Sequence, residues 1–180
     1  MQVHTKFMTK IRYIRLIIFL VLLSSFTIHV NSNLENTQIE TLELKALRKN
    51  VVGKSYVYDL TKLKNCNKTT IKYLGSIKTK NGKEYKILNS FYVFQSNSTC
   101  KGTSNIKIYD MKNKYVGKYY VGMPEELPDR ITQNKNLVWE NSKDCIMRKD
   151  FFINLENGLP EKFFVPCSKN GGNEYGFSVE

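Results

Sequence analysis

The chain has 180 residues, about one domain's worth, and carries 28 Lys plus Arg against 16 Asp plus Glu, a net charge of +12. The first 32 residues hold four of those bases and no acid, so residues 33–180 keep 24 bases against 16 acids, a net +8. Both histidines, His4 and His29, also fall in this leader. Their position excludes Ser-His and Cys-His dyads, His zinc sites and imidazole acid–base work from the remaining chain.

Residues 1–32 read as a signal peptide. A basic, acid-free start precedes an apolar run of 11 residues, Leu16 to Phe26, and Val30-Asn31-Ser32 suits cleavage after Ser32. The competing reading is an uncleaved anchor, because no charge interrupts the 19 residues from Leu16 to Leu34. Both readings send residues 33–180 out of the cytoplasm, as a secreted or periplasmic domain or as an N-terminally tethered one.

After the leader, Thr37 followed by Glu40 forms a capping box, and Ile39, Leu42, Ala46 and Leu47 recur at helical spacing. From Ser55 onward the apolar period is two. Strands are expected at 55–60, 69–79, 84–94, 105–110, 115–121, 136–140, 149–155, 159–165 and 174–179. Short strands with regular turn signals predict a mainly β chain: one antiparallel β-sandwich or barrel-like domain over 33–180, with a short N-terminal helix.

Two hairpins are specified by their turns. A three-residue Lys80-Asn81-Gly82 loop with left-handed Gly82 pairs Thr79 with Lys83, sets Ile77 opposite Tyr85 and Ile87 over Gly75, and carries on to Ile71 opposite Phe91. The same logic at Glu156-Asn157-Gly158 pairs Leu155 with Leu159 and Phe151 with Phe163. Extending these registers brings Cys66 near Cys100 and Cys145 near Cys167, each pair at the open end of its own hairpin. An even cysteine count in an exported chain favours disulfides, so Cys66–Cys100 and Cys145–Cys167 are expected. No C-x₂-C spacing supports a metal site, and no motif implies a cofactor.

Candidate chemistry is sparse. Gly53-Lys54-Ser55 resembles the end of a phosphate-binding loop, but Arg48 stands where the pattern needs glycine, so it reads as a turn into the first strand. Ser98-x-x-Lys101 and Ser104-x-x-Lys107 match a nucleophile motif without its partner motifs. Glu125, Glu126 and Asp129, framed by Pro124 and Pro128, and further on Asp144 and Asp150, are the carboxylates open to paired acid–base work. Tyr119, Tyr120 and Trp139 read as core or strand-surface aromatics, with sugar or lipid contact as the alternative. Leu74, Leu88, Tyr92 and Phe94 share a hairpin face, so the central hairpin is expected to be buried on both sides or to line a cavity.

Charge is uneven: residues 33–121 hold 17 bases and 6 acids, whereas residues 122–180 hold 7 bases and 10 acids. Lys78, Lys80, Lys83 and Lys86 cluster at the first hairpin tip as a candidate anion patch for an acidic glycan or a membrane surface. Only five of the 28 bases are Arg, which argues against nucleic acid. Asn67 and Asn97 begin Asn-x-Thr sequons. The expectation is an exported, non-catalytic β-domain that binds a surface glycan, a lipid or an envelope protein. The alternative is a small exported hydrolase using paired carboxylates or a Ser–Lys dyad.

Overall fold

The computed structural model describes residues 37–61, 66–140, 146 and 149–179. The expected leader and its cleavage site lie outside these residues. No helix among the described residues is long and apolar enough to cross a membrane. The chain divides into two compact units, Met1–Thr41 and Leu42–Glu180. In the first, the described residues 37–41 are helical, and Thr41 Oγ1 donates to the Thr37 carbonyl at 2.8 Å.

The second unit is antiparallel throughout. Helix α1 runs over residues 37–49, and its residues from Leu42 onward belong to this unit. It is followed by β1 (Ser55–Asp59), β2 (Lys68–Lys78), β3 (Glu84–Ser96), β4 (Thr99–Tyr109) and β5 (Tyr115–Tyr120). A 3-10 turn, Pro124–Glu126, leads to β6 (Arg130–Ile131), β7 (Asn136–Trp139) and β8 (Phe151–Asn154), and β9 (Lys162–Ser168) and β10 (Gly171–Ser178) finish the chain. Seven strands form one sheet in the order β1-β2-β3-β4-β5-β10-β9, and β6-β7-β8 form a second.

The sheet β1–β5 plus β10 and β9 is buried on both faces at its centre. On one side Leu42, Ala46 and Leu47 of α1 pack on Ile71, Tyr73, Leu88 and Tyr109. On the other, Leu137 and Trp139 of the small sheet pack on Ile77, Ile87, Ile106, Ile108 and Tyr119. This is a sandwich of two sheets with a helix on the outer face, and no closed barrel forms among the described residues. The first hairpin is buried on both sides, but Leu74 and Leu88 do not share a face as expected: Leu74 packs in the core with the small sheet and Leu88 in the core under α1. Tyr119 and Trp139 are core residues, and their polar ends donate to the Pro160 and Glu126 carbonyls at 2.7 Å each.

The tip of that hairpin follows the expected register. Thr79 N donates to the Lys83 carbonyl at 2.9 Å, Gly82 has φ +81°, Ile77 faces Tyr85 and Gly75 faces Ile87. Beyond Gly75 the register shifts by one: Tyr73 faces Leu88, and Ile71 faces Ser90 rather than Phe91. Leu74 is the extra residue of a β-bulge, and Gly75 supplies the φ of +130° next to it. A bulge inverts the alternation beyond it. Ile71 and Tyr73 therefore turn to the helix, while Thr70 and Lys72 turn to the opposite face.

The second expected hairpin does not form. Gly158, at φ +129°, does make the turn, with its N–H on the Leu155 carbonyl. However, β8 pairs with β7, and β9 pairs with β10 in the other sheet. Phe151 faces Trp139, and Phe163 faces Tyr175. The chain changes sheets here because Leu155 plugs the core between them and Pro160 has no N–H for a ladder.

Cys66 and Cys100 form a disulfide with their Cα atoms 6.0 Å apart, as expected. Cys167 is also disulfide-bonded, and Cys145 lies outside the described residues. A disulfide fits an oxidising, extracytoplasmic compartment.

Inside the α1 layer sits a buried charge. Glu43 is fully buried and accepts from Ser90 Oγ at 2.6 Å, Tyr109 Oη at 2.7 Å and Lys107 Nζ at 2.8 Å. With three donors it is well satisfied, so it fixes the helix on the sheet at a single position. Burial, with the Glu43 charge nearby, pushes the Tyr115 hydroxyl up to about 12.

Candidate functional site

The bulge at Leu74 creates the site. On the face away from α1, the small sheet covers only part of the large one. The uncovered part presents side chains in rows set by the strand register. Ser55, Lys72 and Asn89 form one row across β1, β2 and β3, and Val57, Thr70 and Phe91 form the next. Directly opposed residues of this kind stand about 5 Å apart.

The segment Pro124–Asp129 forms a wall beside these rows, and together they enclose a groove of about 230 Å³. The wall is tied down at several points. Lys72 Nζ donates to the Asp129 carbonyl at 2.7 Å, and Asn89 Nδ2 donates to the Pro128 carbonyl at 2.6 Å. Asn173 Nδ2 donates to Glu126 Oε1 at 2.6 Å, and the Glu140 N–H donates to Asp129 Oδ2 at 2.7 Å.

Because Asn89 Nδ2 is committed to Pro128, its Oδ1 is the free end, and this buried acceptor has no partner. Asn89 is only 6% exposed. A second buried polar atom without a partner, Ser104 Oγ, sits on β4 directly opposite Phe91. Unpaired buried polar groups cost roughly 1–3 kcal/mol each, so a pair of them on the adjoining strands β3 and β4 is a departure to be accounted for.

Phe91 owes its place to a glycine. A Cβ at Gly102 would lie 2.8 Å from Phe91 Cε2 and 3.2 Å from its Cζ, so the ring fills the space above Gly102. At the end of β1, the Thr61 side chain and N–H hold the Asp59 carboxyl below the usual range.

The residues named from sequence fall elsewhere. At the hairpin tip Lys78 pairs with Glu84 at 2.8 Å and Lys80 with Glu156 at 3.3 Å. Lys86 donates to Asn113 Oδ1 at 2.7 Å, and Lys83 is exposed. Gly53, at φ +76°, donates its N–H to the Tyr73 carbonyl and turns the chain into β1. Ser104 and Lys107 share strand β4 but point to opposite faces, Ser104 to the groove side and Lys107 to Glu43, so this pair makes no dyad. Ser98 lies in the β3–β4 turn, and Lys101 on β4 is exposed.

Among the carboxylates, Glu126 and Asp129 brace the wall of the groove, while Glu125 and Asp150 are exposed. Asp144 lies outside the described residues. Asn97 is exposed at the β3–β4 turn with φ +56°, and Asn67 Oδ1 accepts the Gln95 N–H. Among the described residues, no group of three or more His, Cys, Asp or Glu side chains could hold a metal ion.

Sequence reasoning reached the Pro124–Asp129 loop but missed Thr70, Lys72, Asn89 and Phe91 as a set. The available signal was Gly75, an isolated glycine inside a strand pattern. Comparison of the chain with protein-family models, with curated proteins and with solved structures finds no match.

Proposed function

We propose that this chain is an exported binding module whose ligand is a glycan, held in the groove between the β1–β3 face and the Pro124–Asp129 wall. The observation that carries this reading is the composition of the groove. It combines an aromatic ring, Phe91, with an ammonium at Lys72, hydroxyls at Ser55 and Thr70, and the amide side chain of Asn89. Sugars present both faces that such a mixture recognises: C–H groups for the ring, and hydroxyls that donate and accept for the polar groups.

A lipid tail would leave those polar groups unpaired, at the cost of their desolvation. A hydrolytic reading would need a carboxylate free to act, and Glu126 and Asp129 already brace the wall. The tip lysines are a weaker second surface, because Glu84 and Glu156 neutralise Lys78 and Lys80. The Cys66–Cys100 disulfide supports a working location outside the cytoplasm.

The test is a glycan array probed with the full oxidised chain and with Phe91→Ala. The proposal predicts retention on a defined set of glycans that Phe91→Ala abolishes. No retention on any glycan, or equal retention by Phe91→Ala, would overturn it.

A further inference from the structure

We propose that the α1–β1 loop, residues 48–54, is a contact surface for an anionic lipid bilayer. Val51 and Val52 enter the bilayer interface while Arg48, Lys49 and Lys54 pair with lipid phosphates. The loop lies apart from the glycan groove. Tyr56, just after it, packs against the core under α1, whereas Ser55 lines the groove on the opposite face.

Charge around the loop is one-sided. Residues 44–58 hold four bases, Lys45, Arg48, Lys49 and Lys54, and no acid. Arg48, Lys49 and Lys54 are exposed, and among the described residues no carboxylate pairs with them, unlike Lys78 and Lys80 at the hairpin tip. The fold also gathers two of these charges. Lys49 Nζ lies 4.7 Å and Lys54 Nζ 5.5 Å from the centroid of the same Tyr56 ring, so the two ammoniums are at most the two distances together apart, about 10 Å. That is about the screening length at physiological salt, so both act on one anionic surface.

Two consecutive valines stand out of this basic loop, Val51 45% and Val52 64% exposed. Their backbone is fixed on either side. Asn50, at φ +52°, ends α1 with its N–H on the Ala46 carbonyl, and Gly53, at φ +76°, donates to the Tyr73 carbonyl at 2.8 Å. The fold therefore holds the pair in solvent.

One class of partner meets both features. An acidic polysaccharide would pair with the bases and leave the valines in water. An apolar protein surface would bury the valines and strand three charges. A bilayer interface offers phosphates at its surface and acyl chains beneath, and apolar insertion joined to basic attraction is how a short segment holds to it.

The experiment is fluorescence of Val52→Trp in the full oxidised chain. The probes are vesicles of phosphatidylcholine alone and of phosphatidylcholine mixed with phosphatidylglycerol, with brominated acyl chains as quencher. Residue 52 is exposed, so the substitution leaves the core intact, and circular dichroism checks this. The reporter is local, so entry of the apolar residues 16–34 into a vesicle does not register at it. The expected result is a blue shift with quenching on phosphatidylglycerol vesicles, none on phosphatidylcholine alone, and release at high salt. Each base near an anionic surface is worth about fivefold in partitioning, so adding Lys49→Gln and Lys54→Gln should weaken the response about twenty-five-fold.

No quenching on phosphatidylglycerol vesicles overturns the proposal, as does equal quenching on phosphatidylcholine. A reporter shift produced by heparin, without quenching by brominated lipid, would assign the loop to a soluble polyanion and also overturn it. Retention of glycans by the groove is read separately through Phe91→Ala.

Discussion

Replacing Glu43 by leucine tests the buried network that seats α1. The substitution strips Ser90 Oγ, Lys107 Nζ and Tyr109 Oη of their shared acceptor, and the Lys107 side chain is only 20% exposed. Removing one partner of a buried ion pair costs about 3–5 kcal/mol, because the other charge stays in a poor environment. Against a total stability of about 5–15 kcal/mol this is a large fraction, equivalent to roughly 6–20 °C in Tm at this chain length. Lys107→Met alone should cost a similar amount, since it strands the carboxylate.

The double variant should not cost the sum, because an apolar pair fills the same space with no stranded charge. A double-mutant cycle read by urea unfolding should return a coupling energy of about 1–3 kcal/mol. A loss below about 1 kcal/mol for Glu43→Leu, or simple additivity in the double variant, would refute the reasoning.

Three further outcomes follow from the same structure. Gly102→Ala should displace the Phe91 ring, because the new Cβ meets Cε2 at 2.8 Å; glycan retention should fall sharply while Tm changes by only a few degrees. Opening the 34-residue Cys66–Cys100 loop with Cys66→Ser should cost about 4 kcal/mol, read from Tm under non-reducing conditions. In alkali, burial raises the Tyr115 and Tyr175 hydroxyls from 10.0 to about 12, so these groups keep their protons in the folded chain after the unfolded chain has lost them. Their contribution is complete below pH 10 and is lost as pH rises to about 12; unfolding followed against pH should show a shallower slope in Tyr115→Phe and Tyr175→Phe.

Much of the fold was legible because local rules and tertiary packing agree. Alternation marked the strands, Asn81-Gly82 set the first turn, and the open end of that hairpin located Cys66 beside Cys100. Two features depended on long-range packing and were not legible. The Leu74 bulge lets Ile71 and Tyr73 reach α1 while Ile77 and Ile87 reach the small sheet, a double demand that alternation alone cannot display. The turn at Gly158 is locally a hairpin turn, yet Leu155 finds more burial between the sheets than β8 would gain by pairing with β9. Glu43 read as one more charge on a helix surface, and only the sheet beneath supplies its three donors. The groove inherits the first difficulty, since Lys72 and Asn89 share a face only once the bulge is in place.

Where a glycan touches the protein tests the central claim most directly. Backbone and side-chain shifts of the isotopically labelled full chain, titrated with a glycan retained on the array, should move first at Thr70, Lys72, Asn89, Phe91 and the Pro124–Asp129 wall. The Asn89 side-chain amide, which donates to the Pro128 carbonyl of the wall, should shift with them. Shifts confined to Lys78, Lys80, Lys83 and Lys86, with the groove silent, would contradict the account.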